Sequence, residues 1–559
     1  MSEIVTLQLG QLSNFVGTHW WNVQEASFVY EGQARKYKSE INHNATFREG
    51  NNLKNEITYT PRLIAVDLAD SLNNIKLEGS LYDFEPEAEA ISWSHEVTIH
   101  KQEEAYQKNE FLKDLDALDN VPTKETKLDG CTSREEMELD ENLPDQAAVS
   151  AEMIADKLYN LDDSVKSWSD YLKTHLHPRS LSVVKKFYHS DNSFNIHGTG
   201  VAAYRNESLD MRSDMEDKVH FFTEEADNLQ GFNLITDIYD GFGGFATALA
   251  AEVADDFAKK GCIAFCPFQS VRNTQESSQS LHDLINTVQS LVKFAQTGFT
   301  VVPLSMVDNP WVSAHHSHKR LPGVMYKHNL PYHTSAIFAA ALDCATLSNR
   351  LLCGSLPLAH LTDTLSVSHR MVSNLSIAMP VPLDNVRSPM EAFATCCNPM
   401  TSLTPLYNAS QSATSTAQSL ALRGVRDLCS SPFSHSIDKW MRFDPSMLTL
   451  VDQPCSIKAP FPHIFESSLG KTGCNCGEPR PKSPAVEIQS VATLTSLSTS
   501  DNSKGMLSHL LERSSKLTQR HLHKHIEAGL EEDDWTETVN DLRGLLERYS
   551  NESEELDSD

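Results

Sequence analysis

The sequence predicts an α/β protein: a mainly parallel sheet interrupted by an acidic insertion, then an α+β domain and C-terminal helices. Three observations point there. The chain opens on an alternating strand that runs through a glycine into a helical pattern. A second strand, 63–68, is apolar almost throughout, as in a sheet covered on both faces. Residues 232–304 then alternate strand, helix, strand, helix, strand, and such alternation gives parallel strands with helices on both faces.

In the first element Val5, Leu7 and Leu9 alternate with Thr6 and Gln8 up to Gly10, which reads as a strand with one buried face. Phe15, Val16, Trp20, Trp21 and Val23 follow at helical spacing. From about residue 82 acids dominate, densest around Glu135, Glu136, Glu138, Asp140 and Glu141, and 85–190 reads as an insertion, partly helical (147–161) and partly mobile. The sheet domain is then 1–84 plus 191–355. Its later part has a strand at 232–238, a glycine loop at 240–245, a helix at 246–260 closed by Gly261, a strand at 262–266, a helix at 281–295, a strand at 299–304 and a long helix at 334–352. A second α+β domain is expected over 356–482, with a strand at 375–379. A Ser/Thr-rich linker follows at 483–504, helices at 505–550 and an acidic tail at 551–559.

The chain has 559 residues, 40% of them hydrophobic, enough for two or three cores. Its 47 basic and 76 acidic residues give a formal charge of −29, which repels nucleic acid and anionic lipid and favours protein partners. Eleven cysteines without regular spacing suit a reducing compartment. No basic n-region opens the chain, no window of 18 apolar residues spans a membrane, and no prenylation cysteine ends it, so membrane association is expected to be peripheral.

Three segments resemble the tubulin superfamily. Residues 3–17, with Gly10, Gln11 and Asn14, look like its first strand and first phosphate loop; 59–68 look like the segment leading to its third nucleotide loop; and Leu229, Gln230, Gly231 and Phe232 precede a glycine stretch as their counterparts do. The large insertion and the doubled Trp20-Trp21 resemble the Misato family within that superfamily. The likeness is clear over about the first 80 residues and from 195 to 270. It implies a tubulin-like, nucleotide-binding-type first domain. It also implies a role in mitochondrial distribution, morphology and inheritance, in the cytoplasm and on the cytosolic face of the mitochondrial outer membrane. The implied partners are a chaperonin, tubulin or spindle microtubules, and mitochondrial outer-surface proteins.

A phosphate cradle needs glycines because backbone N–H groups must approach the oxygens closely. Against the family signature Gly-Gly-Gly-Thr-Gly-Ser-Gly this chain has Tyr239, Asp240, Gly241, Phe242, Gly243, Gly244 and Phe245. The candidate nucleotide residues are therefore Gly10, Gln11, Asn14, Asp67, Gly241, Gly243 and Gly244, with GTP the only cofactor implied. The Thr hydroxyl is lost at Phe242, Asp240 would set a carboxylate beside phosphates, and Ala69 replaces an acid. Two readings stay open: residual nucleotide binding, or glycines that only let a helix pack close to a strand end. Asp67 could likewise cap a loop or approach a metal. For hydrolysis, the family's activating carboxylates fall at Met371 and Asn374, and the nearest acid, Asp363, is out of register, so no catalytic residue is assigned. A non-enzymatic protein is expected; the rival is a GTP-binding assembly protein that polymerises and hydrolyses.

Other motifs are weaker. Gly241, Gly243 and Ala246 fit a dinucleotide fingerprint, but the next strand runs to Cys266, Pro267, Phe268 and Gln269 with no acid for a ribose. Gly470-Lys471-Thr472 lacks the earlier P-loop glycine, having Phe465 there. Cys474 and Cys476, or His315, His316 and His318, fall short of a four-ligand zinc set. Arg513, Lys516, Arg520 and Lys524 with His521, His523 and His525 form a basic helix face, either solvated or docking an acidic surface. No nucleophile elbow is present.

Overall fold

A computed structural model describes residues 2–28, 40–51, 57–75 (except 74), 107–119, 157–270 (except 192), 277–312, 317–381, 400–407, 415–425, 446–473 (except 472) and 488–549. The first sheet contains β1 (Glu3–Leu9), β4 (Leu63–Leu68), β5 (Leu181–Val184), β6 (Leu229–Thr236), β7 (Gly261–Phe268) and β8 (Thr300–Ser305). Their order is β5-β4-β1-β6-β7-β8, all parallel. A small hairpin, β2 (Phe47–Asn51) and β3 (Ile57–Pro61), stands apart from it. The parallel α/β sheet is thus as expected.

Every residue of β1 is buried. It is a central strand covered on both faces, so Thr6 and Gln8 are interior, which corrects the half-buried reading of their alternation. Helix α1 (Gln11–Glu25) follows at once and buries 12–24 between the sheet and α7 (Pro331–Ala345). Trp20 and Trp21 pack at 4.8 Å centroid separation, and Trp21 meets Phe47 edge-on. Helix α2 (Glu110–Asp119), α3 (His197–Arg205), α4 (Met211–Glu224), α5 (Gly241–Asp256), α6 (Ser277–Gln296) and α8 (Leu358–Leu365) complete this half. The expected long helix at 334–352 stops at Ala345, and a short 3-10 turn takes up Leu347–Asn349.

Two boundaries are corrected. Residues 85–190 are not wholly peripheral: β5 pairs with β4 through Ala65–Leu181 to Leu68–Val184, and Trp168 and Tyr171 lie in the core. Of the helix expected at 147–161, residues 147–156 lie outside the described set and 157–161 are not helical. Nor is 483–504 simply a linker, because β15 (Thr493–Ser500) is fully buried at the centre of the second sheet. That sheet comprises β9 (Asn374–Ala378), β10 (Thr401–Ser402), β11 (Ser415–Arg423), β12 (Ser446–Val451) and β15, ordered β10-β9-β15-β11-β12. The short pair β13 (Cys455–Ser456) and β14 (Ser490–Val491) lies beside it.

A buried ionic triad joins the two halves. Asp343 of α7 binds Arg423 of β11 and, at 2.9 Å, Arg350, which also reaches Gln24 of α1. Helices α9 (Lys504–Ser514), α10 (Gln519–Glu527) and α11 (Glu532–Glu547) close the chain, with α9 and α11 packed on α6. Tyr549 beyond them bonds the N–H and carbonyl of Val372 at 2.7 Å each. The acidic tail at 551–559 lies outside the described residues.

Candidate functional site

From β1 the chain builds β4 and β5 on one side, then returns to build β6, β7 and β8 on the other. The crevice at the carboxyl ends of β1 and β6 is therefore the topological switch point, where an open parallel sheet binds its ligand. Two helices begin there, α1 after Gly10 and α5 after Asp240. Each helix start exposes N–H groups with no intrahelical acceptor, a ready anion site.

In this chain the donors of Leu12 and Ser13 at one start, and of Gly241, Phe242 and Gly243 at the other, are already engaged. At α1 the N–H groups of Leu12 and Ser13 donate to the two carboxylate oxygens of Asp237, each at 3.0 Å. The Ser13 hydroxyl adds a third bond at 2.6 Å and the Tyr239 hydroxyl a longer one at 3.2 Å. Gly10 has φ +107°, and a Cβ there would stand 2.6 Å from an Asp237 oxygen, so only glycine lets the carboxylate in. Burial pushes the Asp237 carboxyl up to about 6, against the pull of the Ser13 and Leu12 bonds and with a further push from Asp67.

The second helix start is closed differently. The glycine loop expected at 240–245 is helical from Gly241 onward: Gly241, Gly243 and Gly244 lie in the first turns of α5. The N–H of Gly241 donates to the Phe194 carbonyl at 2.9 Å, that of Phe242 to the Asp240 side chain at 2.9 Å, and that of Gly243 to the Asp240 carbonyl at 3.2 Å. The glycines serve helix packing. A Cβ on Gly244 would strike the His197 carbonyl, one on Gly200 of α3 the Gly241 carbonyl, and one on Gly243 the Ser290 hydroxyl. The packing alternative for these glycines is the one the geometry favours. Asp240 is an N-cap, and Asp240→Ala is expected to lower stability by about 1 kcal/mol, read as a urea midpoint shift with no change in nucleotide retention. An unchanged midpoint would remove its capping role.

Asp67 is enclosed by donors. It accepts from Asn14 at 3.0 Å and Trp168 at 2.8 Å on one oxygen, and from the Leu68 N–H at 2.8 Å on the other, which also meets His189 at 2.7 Å. Burial alone would lower His189, but its bond to Asp67, with the charges of Asp67, Asp70 and Asp240, holds it above its ordinary value. Of the predicted residues, Gly10, Asn14 and Asp67 do converge, and Gln11 is exposed at the mouth. Beside them a cavity of about 90 Å³ is lined by Gln11, Leu12, Phe15, Tyr239, Gln269 and Tyr332, among others.

Sequence reading missed Asp237, Trp168 and His189. Asp237 did carry a signal, an acid inside the strand expected at 232–238. At the hydrolytic positions, Met371 is buried and Asn374 binds Ser376 and Ser402, while Asp363 is exposed on α8. No cluster of three or more potential metal ligands occurs among the described residues; Cys474, Cys476, His315 and His316 lie outside them.

Residues 2–117 match the Misato segment II tubulin-like domain, and 159–351 match the tubulin domain. The second match begins ahead of β5, in keeping with a sheet domain that resumes before residue 191. Protein misato homolog 1 of Danio rerio is 32% identical over 601 aligned positions, covering 100% of this chain and 99% of its own. The Mus musculus protein of that name is 30% identical over 570 positions, covering 98% of each chain. Protein misato of Drosophila melanogaster is 25% identical over 586, again covering 98% of each. A parallel sheet with a tubulin-like cleft at its switch point, and likeness along the whole chain, place this protein in the Misato family.

Proposed function

We propose that this protein is a non-enzymatic member of its family that works by binding other proteins in mitochondrial distribution, morphology and inheritance. Its proposed location is the cytoplasm and the cytosolic face of the mitochondrial outer membrane. The observation that carries the non-enzymatic reading is the helix starts at the switch point. The N–H groups of Leu12, Ser13, Gly241, Phe242 and Gly243 are all bonded within the chain, which leaves them no capacity to hold phosphates. The family's hydrolytic acids are replaced by Met371 and Asn374, neither able to act as general base. Peripheral association fits the absence, among the described residues, of any helix long and apolar enough to cross a membrane. Chaperonin, tubulin or outer-surface proteins are the proposed partners, by resemblance.

Depletion of the protein in cells, followed by re-expression, tests the cellular half. A collapsed or unevenly inherited mitochondrial network, restored equally by the wild type and by Met371→Leu, is expected. A network unaltered by depletion would end the proposal. Steady-state phosphate release from GTP should stay at background for both proteins; turnover abolished by Asp67→Ala would revive the hydrolysing alternative.

A further inference from the structure

Asp237 differs from an ordinary helix cap. It stands just past the end of β6, 225 residues beyond Leu12, and lays both its oxygens on consecutive N–H groups of the first turn of α1. A bidentate anion across the start of a helix is the arrangement a free oxyanion adopts there. The Ser13 hydroxyl and the Tyr239 hydroxyl complete a four-donor shell, and the carboxylate is 1% exposed. Gly10 removes the one Cβ that would collide with it. Leu12 and Tyr239 also line the small cavity next to it, so a species of carboxylate size has a way in.

We propose that the start of α1 is a built oxyanion site filled by the chain's own carboxylate, and that Asp237 acts as a tethered anion holding α1 where an external one would otherwise be required. This rests on the reading of the cleft as closed and deepens it by naming what closes it. The site suits a small oxyanion of carboxylate size. The facing charge is Asp67, which is already bound by Asn14, Trp168, Leu68 and His189 and so keeps its place when Asp237 is removed.

The consequence is chemical rescue. Asp237→Gly takes away the side chain and leaves the donors of Leu12, Ser13 and Tyr239 around a carboxylate-sized space. Its melting temperature in chloride should fall by roughly 5 °C, as for loss of a few hydrogen bonds. Formate at constant ionic strength should restore at least half of that fall, saturably. The wild type should not respond, and Asp237→Gly combined with Ser13→Ala should respond less. Inorganic phosphate in a parallel titration separates a planar carboxylate site, where only formate works, from a broader oxyanion site, where both do; either result supports the proposal. Asp237→Ser is the second variant, and recovery of folded protein only in formate counts as rescue. A formate response equal in variant and wild type, or none in either variant, overturns the proposal. GTP binding by the wild type would instead overturn the closed cleft without touching the rescue result, so the two failures are distinguishable.

Discussion

Asp343→Ala is expected to destabilise the protein by about 3–5 kcal/mol, the usual cost of removing one partner from a buried ion cluster. Asp343 is 1% exposed and is the carboxylate shared by Arg350 and Arg423, exposed by 1% and 0%. Without it two guanidiniums remain in the interior. Arg350 keeps the Gln24 side chain and the Asp343 backbone carbonyl, and Arg423 keeps the carbonyls of Gln453 and Pro454, all neutral acceptors. Because the cluster ties α1, α7 and β11 together, the loss should loosen the second sheet from the first domain. The measurement is the urea midpoint followed by tryptophan fluorescence. Converting Asp343, Arg350 and Arg423 together to Leu, Met and Met should cost less than Asp343→Ala alone, since no charge is then left buried. A midpoint for Asp343→Ala equal to the wild type would show that the cluster is not part of the junction.

Stability should also fall steeply as pH drops from 7 to 5. Burial pushes His19, His197 and His525 down to about 3, so each is neutral in the folded protein. His19 meets the Tyr332 carbonyl, His197 meets Thr247, and His525 pairs with His282. In the unfolded chain each titrates near 6.5. For a lowered value, stability is fully present above the unfolded pKa and is lost as pH falls below it towards the folded one. At pH 5 each histidine then contributes a loss of about 2 kcal/mol, on the order of 6 kcal/mol for the three. Asp237 and His189 act in the opposite sense, because their folded values are raised and stability from them is lost as pH rises. The Asp237 share between pH 7 and 5 is only about 1.4 kcal/mol. The net fall should appear as a urea midpoint that drops from pH 7 to 5 and is flattened by His197→Gln. A midpoint that holds level to pH 5 would mean that these imidazoles take up protons in place.

How far the sequence revealed all this depended on whether residue type and environment agreed. The largely apolar runs of β4, β7 and β8 agree with burial between helices, and so the parallel sheet was legible. Disagreement came where polar residues are buried. The strand β15 is made of Thr, Ser and Leu, which reads as a linker, yet it is fully buried and two of its hydroxyls have side-chain partners: Thr499 bonds Ser373 at 2.7 Å and Ser496 bonds Gln418 at 2.8 Å. The strand β5 is four residues long and follows an acid-rich stretch, so composition masked it. At the site, Gly241, Gly243 and Gly244 are poor helix formers, which suggested a loop. The close approach of Phe194 to Gly241, of Ser290 to Gly243 and of α3 to Gly244, invisible in the local sequence, is what requires glycines there. The partnership of Asp237 with Leu12 and Ser13 spans more than 220 residues and could be read only from the fold.

Whether the switch-point crevice is occupied by the protein itself or kept for a nucleotide is tested most directly by calorimetric titration of magnesium-GTP into the purified full-length chain, after its nucleotide content has been measured. The expected result is protein that carries no guanine nucleotide and gives no saturable heat up to millimolar GTP, with Asp240→Gly behaving alike. Stoichiometric, magnesium-dependent binding would contradict it. The donors of Leu12, Ser13, Gly241, Phe242 and Gly243 would then have to be released from Asp237, Asp240 and Phe194 to meet the phosphates.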